Sequence, residues 1–553
     1  MTSPIAELLR GLATIAIALT AACGPGTREA ADLVIYGPIW TGDSTLPTAT
    51  GLAVRGERIA MVGDSATIAA MVGESTVIIS TAGMVAPGFA DGHVHLLDGG
   101  MQLASVDLRD AATPAEFVRR IADFAKTQPA GTWITGGTWD HENWGGQLPT
   151  RQWIDSVTPD HPVFVMRLDG HMAVANSRAL ELAGVDRGMA AVAGGTIVRD
   201  ARGELTGLFK DEAMGPVYAA IPAPTAAQAD SAVAAAMRHA NSTGLVAVSA
   251  VSAGADIWAT ERLRAAGMQT LRASFYPPLG AWHSVADSMN RRTNDAWIRV
   301  AGVKGFVDGS LGSTTALFFD SYLDEPGSRG LMVTPEDSLR AWIGAADSAG
   351  LQVVVHAIGD RANAVLLDIY DSVSAAHGAR DRRFRIEHAQ HLRAEDIRRM
   401  AAAGVLASMQ PFHAADDGRW AAKRIREPEL RGTYAFRSIL EAGGTLVFGS
   451  DWFVAPVDPL LGIWAAVARQ TLDGANPGGW YPEQRITVEE ALRAYTSANA
   501  FGNFAESDRG TLREGMLADI VVLDRDLRTI PPDEIRNANV QVTIVGGRVV
   551  YEK

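Results

Sequence analysis

Residues 85–95 read VAPGFADGHVH, and the reading of the whole chain turns on His93 and His95, one residue apart at the end of an apolar run. Side chains of a β-strand alternate between faces, so positions i and i+2 point the same way and the two imidazoles converge. Met84, Val85 and Ala86 form the apolar approach, and Pro87 and Gly88 break regularity just before the histidines. Neutral imidazole is the commonest side-chain metal ligand, so one reading is a metal site. The other reading is one exposed histidine and one that caps a loop. The pair alone does not choose between them.

A chain of 553 residues, 47% hydrophobic and 20% charged, has a globular composition and the length for several domains or one large barrel with additions. Its formal net charge of -14 repels phosphate backbones and argues against nucleic acid as a partner. The expected partner is a small-molecule substrate, and a homodimer is left open. At the start, Leu8 to Ala22 reads LLRGLATIAIALTAA, too short to span a bilayer comfortably, and it ends at Cys23, the single cysteine of the chain. LTAAC resembles a bacterial lipoprotein cleavage site. Residues 1–23 are therefore expected to be a signal peptide with a lipobox-like cysteine, and 24–30 a linker. The mature protein is expected in the cell envelope or periplasm, lipid-anchored through Cys23, or else secreted. A fortuitous apolar start on a cytoplasmic protein is the competing reading. Contact with a membrane is expected only through that anchor, and a body without further thiols suits an oxidising compartment.

Short strand-like runs with turns fill 31–85 (ADLVIYG, GLAVRGERIAMVGD, STVIIS), and the same character returns in GMLADIVVLD and VQVTIVGGRVVYEK within 501–553. The two terminal pieces are expected to form one small β-sandwich domain. Between them, apolar runs such as LVAVSAVS, QTLRASFY, IRVAGVKGFVDG, LQVVVHAIGD, FRIEHAQHL, GVLASMQPFH and GTLVFGSDWF alternate with helical stretches such as TPEDSLRAWIGAADSAG and RAEDIRRMAAAG. Such repeated alternation predicts an α/β fold, a (β/α)8 TIM-like barrel over 86–500, with its chemistry at the carboxyl ends of the strands. After the first barrel strand, residues 100–222 are too many for a loop and are read as an insertion subdomain over the barrel mouth.

The ionisable residues fall where that architecture requires. His356 ends QVVVH, His388 ends FRIEH, Asp451 ends LVFGSD, and Lys304 lies in VAGVKGF. Any one histidine at such a place reads by default as a buried, hydrogen-bonded core residue. Together with His93 and His95, the set supplies nitrogen and oxygen donors for one or two divalent ions.

The order PGFADGHVH, Lys304, His356, His388, Asp451, flanked by split terminal β pieces, resembles the amidohydrolase superfamily of metal-dependent hydrolases. VKGFVDGSLGSTTA, HAIGDRANAVLLD, RIEHAQ, SMQPFHAADDGRW and FGSDWFVAPVDP are similar to its branch of YtcJ-like proteins and N-substituted formamide deformylase, over about residues 31–553. The resemblance implies one Zn2+ or a pair of divalent ions: His93 and His95 on the more buried ion, shared with Asp451, and His356 and His388 on a second. Lys304 stands where the superfamily often has a bridging lysine, which ligates only as a carbamate formed with carbon dioxide. Its competing reading is an ordinary ion pair with Asp308. The chain departs from the branch at the end of the second barrel strand, where Ser249 and Ala250 stand in place of a His-Asp pair.

Zinc lowers the pKa of its water from about 15.7 to about 7, so the expected function is hydrolysis of a C–N amide-type bond, in an N-acyl or N-formyl amine. Asp451 is the expected general base, which returns the proton to the leaving amine, or else a purely structural ligand. His171 and His413 are candidates to hydrogen-bond the substrate carbonyl or its oxyanion. Asp308 and Asp417 are expected to orient them, Trp139 and Trp144 to wall the substrate, and Lys210 and Asp211 to line the site. Subdomain packing or a loop hydrogen bond is the competing reading for each. The rival functions are ester or lactone hydrolysis and deamination on the same site, and a metal-containing binding lipoprotein without catalysis.

Overall fold

The structure is a computed structural model that describes residues 29–251, 254–289 and 294–553. The expected signal peptide and Cys23 lie outside the described residues. Eight parallel strands form a ring: β1 (Phe89–Val94), β2 (Leu245–Val251), β3 (Arg272–Tyr276), β4 (Gly302–Phe306), β5 (Gln352–Ala357), β6 (Arg385–His388), β7 (Leu406–Met409) and β8 (Leu446–Phe448). Parallel ladders run from β1 to β3, with register shifts between β1 and β2, and from β4 to β8. Two single bridges close the ring, Pro278 to Lys304 between β3 and β4 and Val94 to Trp452 after β8. The chain therefore has a TIM-barrel-like α/β fold, and the ring explains the run of buried Val, Ile and Ala in these strands.

Helices return the chain outside the ring. Ala226–Ser242 starts with a complete capping box between Thr225 and Gln228. Glu336–Ser348 has Pro335 at its N-cap and carboxylates in its first turn, so the entry comes from the proline rather than the neighbouring threonine. Ala394–Ala402 follows Arg393, which makes no capping bond.

Both chain ends contribute to one hydrogen-bonded eight-stranded sheet. Its order is Arg548–Glu552, Val540–Val545, Ile520–Leu523, Val85–Pro87, Leu33–Trp40, Thr48–Arg55 and Arg58–Gly63, with Val77–Ser80 also paired to Leu33–Trp40. The ends meet where Val85–Pro87 runs antiparallel to Ile520–Leu523. Residues 501–519 hold a helix end and loops instead of strands. The insertion carries a six-stranded sheet of its own, in the order Gly195–Arg199, Leu205–Asp211, Met172–Ala175, Phe164–Arg167, Gly136–Trp139, Val106–Asp107. Among the described residues no helix is long and apolar enough to cross a membrane.

Candidate metal centre

The site is built at the seam where β8 returns to β1. The Asp451 N–H donates to the His93 carbonyl at 2.7 Å, and the His95 N–H donates to the Trp452 carbonyl at 2.7 Å. Asp91, fully buried, accepts from the backbone N–H of His93 (2.9 Å) and of Ser450 (3.0 Å). Burial pushes its carboxyl up to about 7, against those hydrogen bonds. The approach requires glycine: a Cβ on Gly449 would lie 2.6 Å from Asp91 Oδ1 and from the His93 nitrogen. The strand ends are also strained, with His388 at φ 72 and Asp451 at φ 59, a backbone cost that clusters at functional sites.

These constraints bring His93, His388 and Asp451 together, each offering one ligand atom within 4.8 Å of the others. Asp451 Oδ1 lies 3.3 Å from His93 Nε2 and 3.3 Å from His95 Nε2. The outer ring nitrogens face acceptors. His93 Nδ1 donates to Glu387 Oε2 at 2.6 Å, His388 Nδ1 to Gln410 Oε1 at 2.8 Å, and His356 Nε2 to the Gly309 carbonyl at 3.0 Å. Each such bond puts the proton on the outer nitrogen and leaves a lone pair on the inner one. Buried lone pairs converging on a carboxylate oxygen that has no hydrogen-bond partner repel one another unless a cation lies among them. The donor set fits a divalent metal bound through nitrogen and oxygen.

Burial would push the Asp451 carboxyl up, but His93, His95 and His388 beside it hold it well below the usual carboxylate range. Burial and the neighbouring His356 hold His388 well below the usual imidazole range, and burial with His171 does the same to His356. Lys304 is 2% exposed, its Nζ 3.4 Å from His93 Nε2. Burial lowers its ammonium to about 8, against Glu387 and Asp451.

His171, from the insertion, reaches this cluster with its ring centroid 5.0 Å from that of His356. Its Nδ1 donates to Asp211 Oδ1 at 2.6 Å. Burial would lower its pKa, but that bond and the charges of Asp211 and Asp169 raise it, so Nε2 is free to donate. His413 lines the cavity beside His388 and Asp451, its Nε2 buried without a partner. Asp417 lines the same cavity and accepts from the Tyr434 hydroxyl (2.6 Å) and Gln390 Nε2 (2.8 Å). Asp308 serves the loops instead, accepting the N–H groups of Leu317 (2.8 Å), Ile358 (3.0 Å) and Gly359 (2.9 Å). It lies 3.6 Å from His356 Nε2 and forms no ion pair with Lys304 within 4 Å.

The tryptophans expected to wall the substrate do not do so. Trp139 is fully buried inside the insertion, edge-on to Phe117, its Nε1 donating to the Val165 carbonyl at 2.9 Å. Trp144 packs on Phe117 and Trp153 and donates to the Gln147 carbonyl at 2.7 Å. Both serve the insertion's own core, since a large aromatic buries most area where neighbours surround it. The walls at the cluster come from Met166, Tyr218, Phe306 and Phe453 instead.

Sequence reasoning also missed Glu387. Ser408 donates to it at 2.7 Å and Arg385 pairs with it in the barrel interior. Its signal is the Arg-x-Glu spacing of β6, which puts two opposite charges on one strand face. Lys210 donates to the Ser313 carbonyl at 2.7 Å and acts at the junction rather than in the cluster. Ser249 bonds Asn503 in the buried interior of the barrel.

Comparison with known proteins agrees with this geometry. The chain is 38% identical to the Arabidopsis thaliana protein LONG AFTER FAR-RED 3 over 536 residues, 94% of this chain and 91% of that one. It is 30% identical to YtcJ of Bacillus subtilis (84% and 89% covered). It is 27% identical to the N-substituted formamide deformylase of Arthrobacter pascens (94% and 98%). Among solved structures, a metal-dependent hydrolase from Pyrococcus horikoshii matches with a TM-score of 0.73 and 28% identity, over 91% of this chain and 99% of that one. The sequence pattern described as the amidohydrolase family matches residues 81–551. A barrel whose closing seam gathers imidazoles around a carboxylate, matched over nearly its whole length in these ways, belongs to the amidohydrolase family, in its YtcJ-like branch.

Proposed function

We propose that the protein hydrolyses a C–N amide-type bond in an N-acyl or N-formyl amine. The observation that carries this reading is Asp451 Oδ1, buried, unpartnered and 3.3 Å from the Nε2 atoms of both His93 and His95. The N-substituted formamide deformylase relative supports the bond type.

His93, His388 and Asp451 would hold a divalent cation, with His95 beside them. His356 and Lys304 would complete a second position once the Lys304 amine has added carbon dioxide, losing a proton to become a carbamate. A pKa near 8 leaves part of Lys304 as the free amine that this addition needs. Zn2+ in this setting supplies Lewis-acid polarisation of a carbonyl and a more acidic water. Asp451 takes the proton of the attacking water and delivers it to the leaving nitrogen, which departs poorly unless protonated. His171, held by Asp211, donates from Nε2 to the carbonyl oxygen as negative charge develops there. Asp417 and His413 line the far side of the cluster and meet the substrate beyond the scissile bond.

Metal analysis of the purified protein, followed by turnover of N-formyl, N-acetyl and N-acyl amino acid amides beside lactones, tests the reading. Bound zinc with amide turnover is expected, and cleavage of lactones alone defeats it. We further propose export and lipid anchoring at Cys23, with a small molecule as the partner of the site. Fatty-acid labelling that disappears in Cys23→Ala is expected, and equal labelling of both forms refutes the anchor.

A further inference from the structure

One imidazole of the cluster lacks the fixing that the others have. His93 Nδ1 meets Glu387, His388 Nδ1 meets Gln410, and His356 Nε2 meets the Gly309 carbonyl. The outer nitrogen of His95 has no such partner among the described residues. Its nearest carboxylate, Asp98, lies 4.0 Å from Nδ1 and is largely exposed, beyond hydrogen-bond reach. What touches the His95 ring instead is the Phe453 ring, edge-on with 5.7 Å between centroids. The direction of His95 Nε2, 3.3 Å from Asp451 Oδ1, therefore depends on where Phe453 stands.

Phe453 lies in the turn that leaves β8. Three hydrogen bonds tie that turn within the barrel: Asp451 N–H to the His93 carbonyl, His95 N–H to the Trp452 carbonyl and Val454 N–H to the Asp451 carbonyl, each 2.7 Å. The Phe453 carbonyl is tied from outside, accepting from Nη2 of Arg109 in the insertion at 2.6 Å. That guanidinium arrives already aimed. The Arg109 N–H donates to Asp107 Oδ1 at 3.1 Å, and the Arg109 carbonyl accepts from Asn143 Nδ2 at 3.1 Å. Arg419, from the barrel side, donates to Asn143 Oδ1 at 3.1 Å. Among the described residues no carboxylate pairs with the Arg109 guanidinium within 4 Å; Asp416, Asp107 and Asp140 act on it through charge alone. A half-buried arginine whose partner is a neutral carbonyl serves orientation rather than ion pairing.

A cavity of about 240 Å³ adjoins this contact, lined by Ser105, Asp107, Arg109, Thr138, Trp452 and Pro456 among others. It shares no ligand side chain with the two cavities that open on the cluster. A water in it would satisfy the Phe453 carbonyl as well as Arg109 does. Water would leave the carbonyl free to tilt, whereas a planar guanidinium on an anchored stem holds it in one direction.

We infer that Arg109 is a positioning residue: through the Phe453 carbonyl and ring it fixes the His95 imidazole toward Asp451. The insertion thereby gives His95 the constraint that a hydrogen bond gives the other imidazoles. The inference rests on the cluster being a metal centre and is independent of which bond is cleaved.

Cobalt(II), loaded into the full chain in place of zinc, reports ligand geometry in its visible spectrum. Arg109→Met keeps the stem and removes the donor. Its cobalt spectrum is expected to differ from that of wild type at unchanged metal content, because His93, His388 and Asp451 keep their own fixings. Arg109→Ala opens room beside Asp107 for a free guanidinium ion, and about 50 mM guanidinium, far below denaturing strength, is expected to return its spectrum to the wild-type form. Wild-type spectra in both variants overturn the inference, and so does an altered Arg109→Ala spectrum that guanidinium leaves as it is. A wild type that takes up no cobalt removes the metal centre and the inference with it. On an amide that turns over, kcat is expected to fall about tenfold in Arg109→Met and to recover in Arg109→Ala with guanidinium. A wild-type kcat in Arg109→Met also overturns the inference, whereas an absence of amide turnover in wild type defeats the hydrolase reading and leaves the spectra to decide.

Discussion

At the seam between β1 and β8 the reactive side chains are fixed by backbone: Asp451 N–H to His93 carbonyl, His95 N–H to Trp452 carbonyl, and Asp91 across both strands. In the insertion, one backbone bond, from the Asp211 N–H to the His171 carbonyl (3.1 Å), holds the chain, and the ring and N–H of His171 are fixed by side chains, through Asp211 on its ring and Asp169 on its N–H (3.2 Å). Strand register leaves a seam residue one position, whereas a side-chain clamp can be loosened by degrees. Substitutions at the seam should therefore cost metal and rate together, and substitutions in the insertion should cost rate with the metal retained.

The largest effect is expected at Asp451. Asp451→Asn removes the charge that faces His93 and His95 and the base that handles the proton, so kcat should fall by about 10³-fold or more and zinc should be lost on dialysis. Stoichiometric zinc with a normal rate would remove Asp451 from both roles. Next comes Glu387→Gln, one step behind the ligands. It frees the His93 ring to take the other tautomer and leaves Arg385 buried without its counter-charge. Metal affinity, measured by chelator competition, should weaken about 10–100-fold, and stability should drop by about 3–5 kcal/mol in denaturant unfolding. Unchanged metal affinity in a destabilised variant would reduce Glu387 to a packing role.

The same contrast governs how much was legible in the sequence. His93, His95, Lys304, His356, His388 and Asp451 end or interrupt apolar runs, and a barrel puts strand ends at one mouth, so local pattern was enough to gather them. Glu387 escaped because it reads as one more charge beside a histidine. Only its shared strand face with Arg385 marks it as interior. In the insertion, local pattern pointed the wrong way. Trp139 and Trp144 sit in the conspicuous GGTWDHENWGG, yet large aromatics are equally the material of a core, and which face each presents depends on the six-stranded sheet. Met166 and Tyr218 carry no sequence signal, because their place at the cluster is set by tertiary packing. The terminal strands were recognisable individually, whereas their union into one sheet depends on the pairing of Val85–Pro87 with Ile520–Leu523, segments more than four hundred residues apart.

Within the insertion, Asp211→Asn offers a graded test through pH. Its carboxylate is the main influence raising the His171 pKa against burial. A raised pKa keeps the protonated donor populated to higher pH than in a free imidazole, and the donor is lost as pH rises through the folded value. The stability gained from the pair follows the same sign, fully present below about 6.5 and lost above the folded pKa. Asp211→Asn should therefore shift the alkaline limb of kcat to lower pH and lower kcat at pH 8 by about tenfold, with zinc content unchanged. An alkaline limb that stays in place would take His171 out of the reaction.

The smallest effect separates a wall from a core. If Trp144 faced the substrate, shortening it to Phe would strip contact from the substrate and weaken binding. Its ring instead leans on Phe117 and Trp153, with centroids 5.8 and 6.5 Å away, and its Nε1 bonds the Gln147 carbonyl. Trp144→Phe keeps an aromatic ring in that packing and removes one hydrogen bond, a change of about 0.5–1.5 kcal/mol in stability. The melting temperature should fall by a few degrees, while kcat/KM for an aromatic amide stays within about twofold, because no atom of the indole borders either cavity at the ligands. A tenfold loss of kcat/KM at unchanged melting temperature would put Trp144 back beside the substrate, and with it would fall the distinction between an insertion that roofs the site through Met166, Tyr218 and His171 and one that does so through its tryptophans.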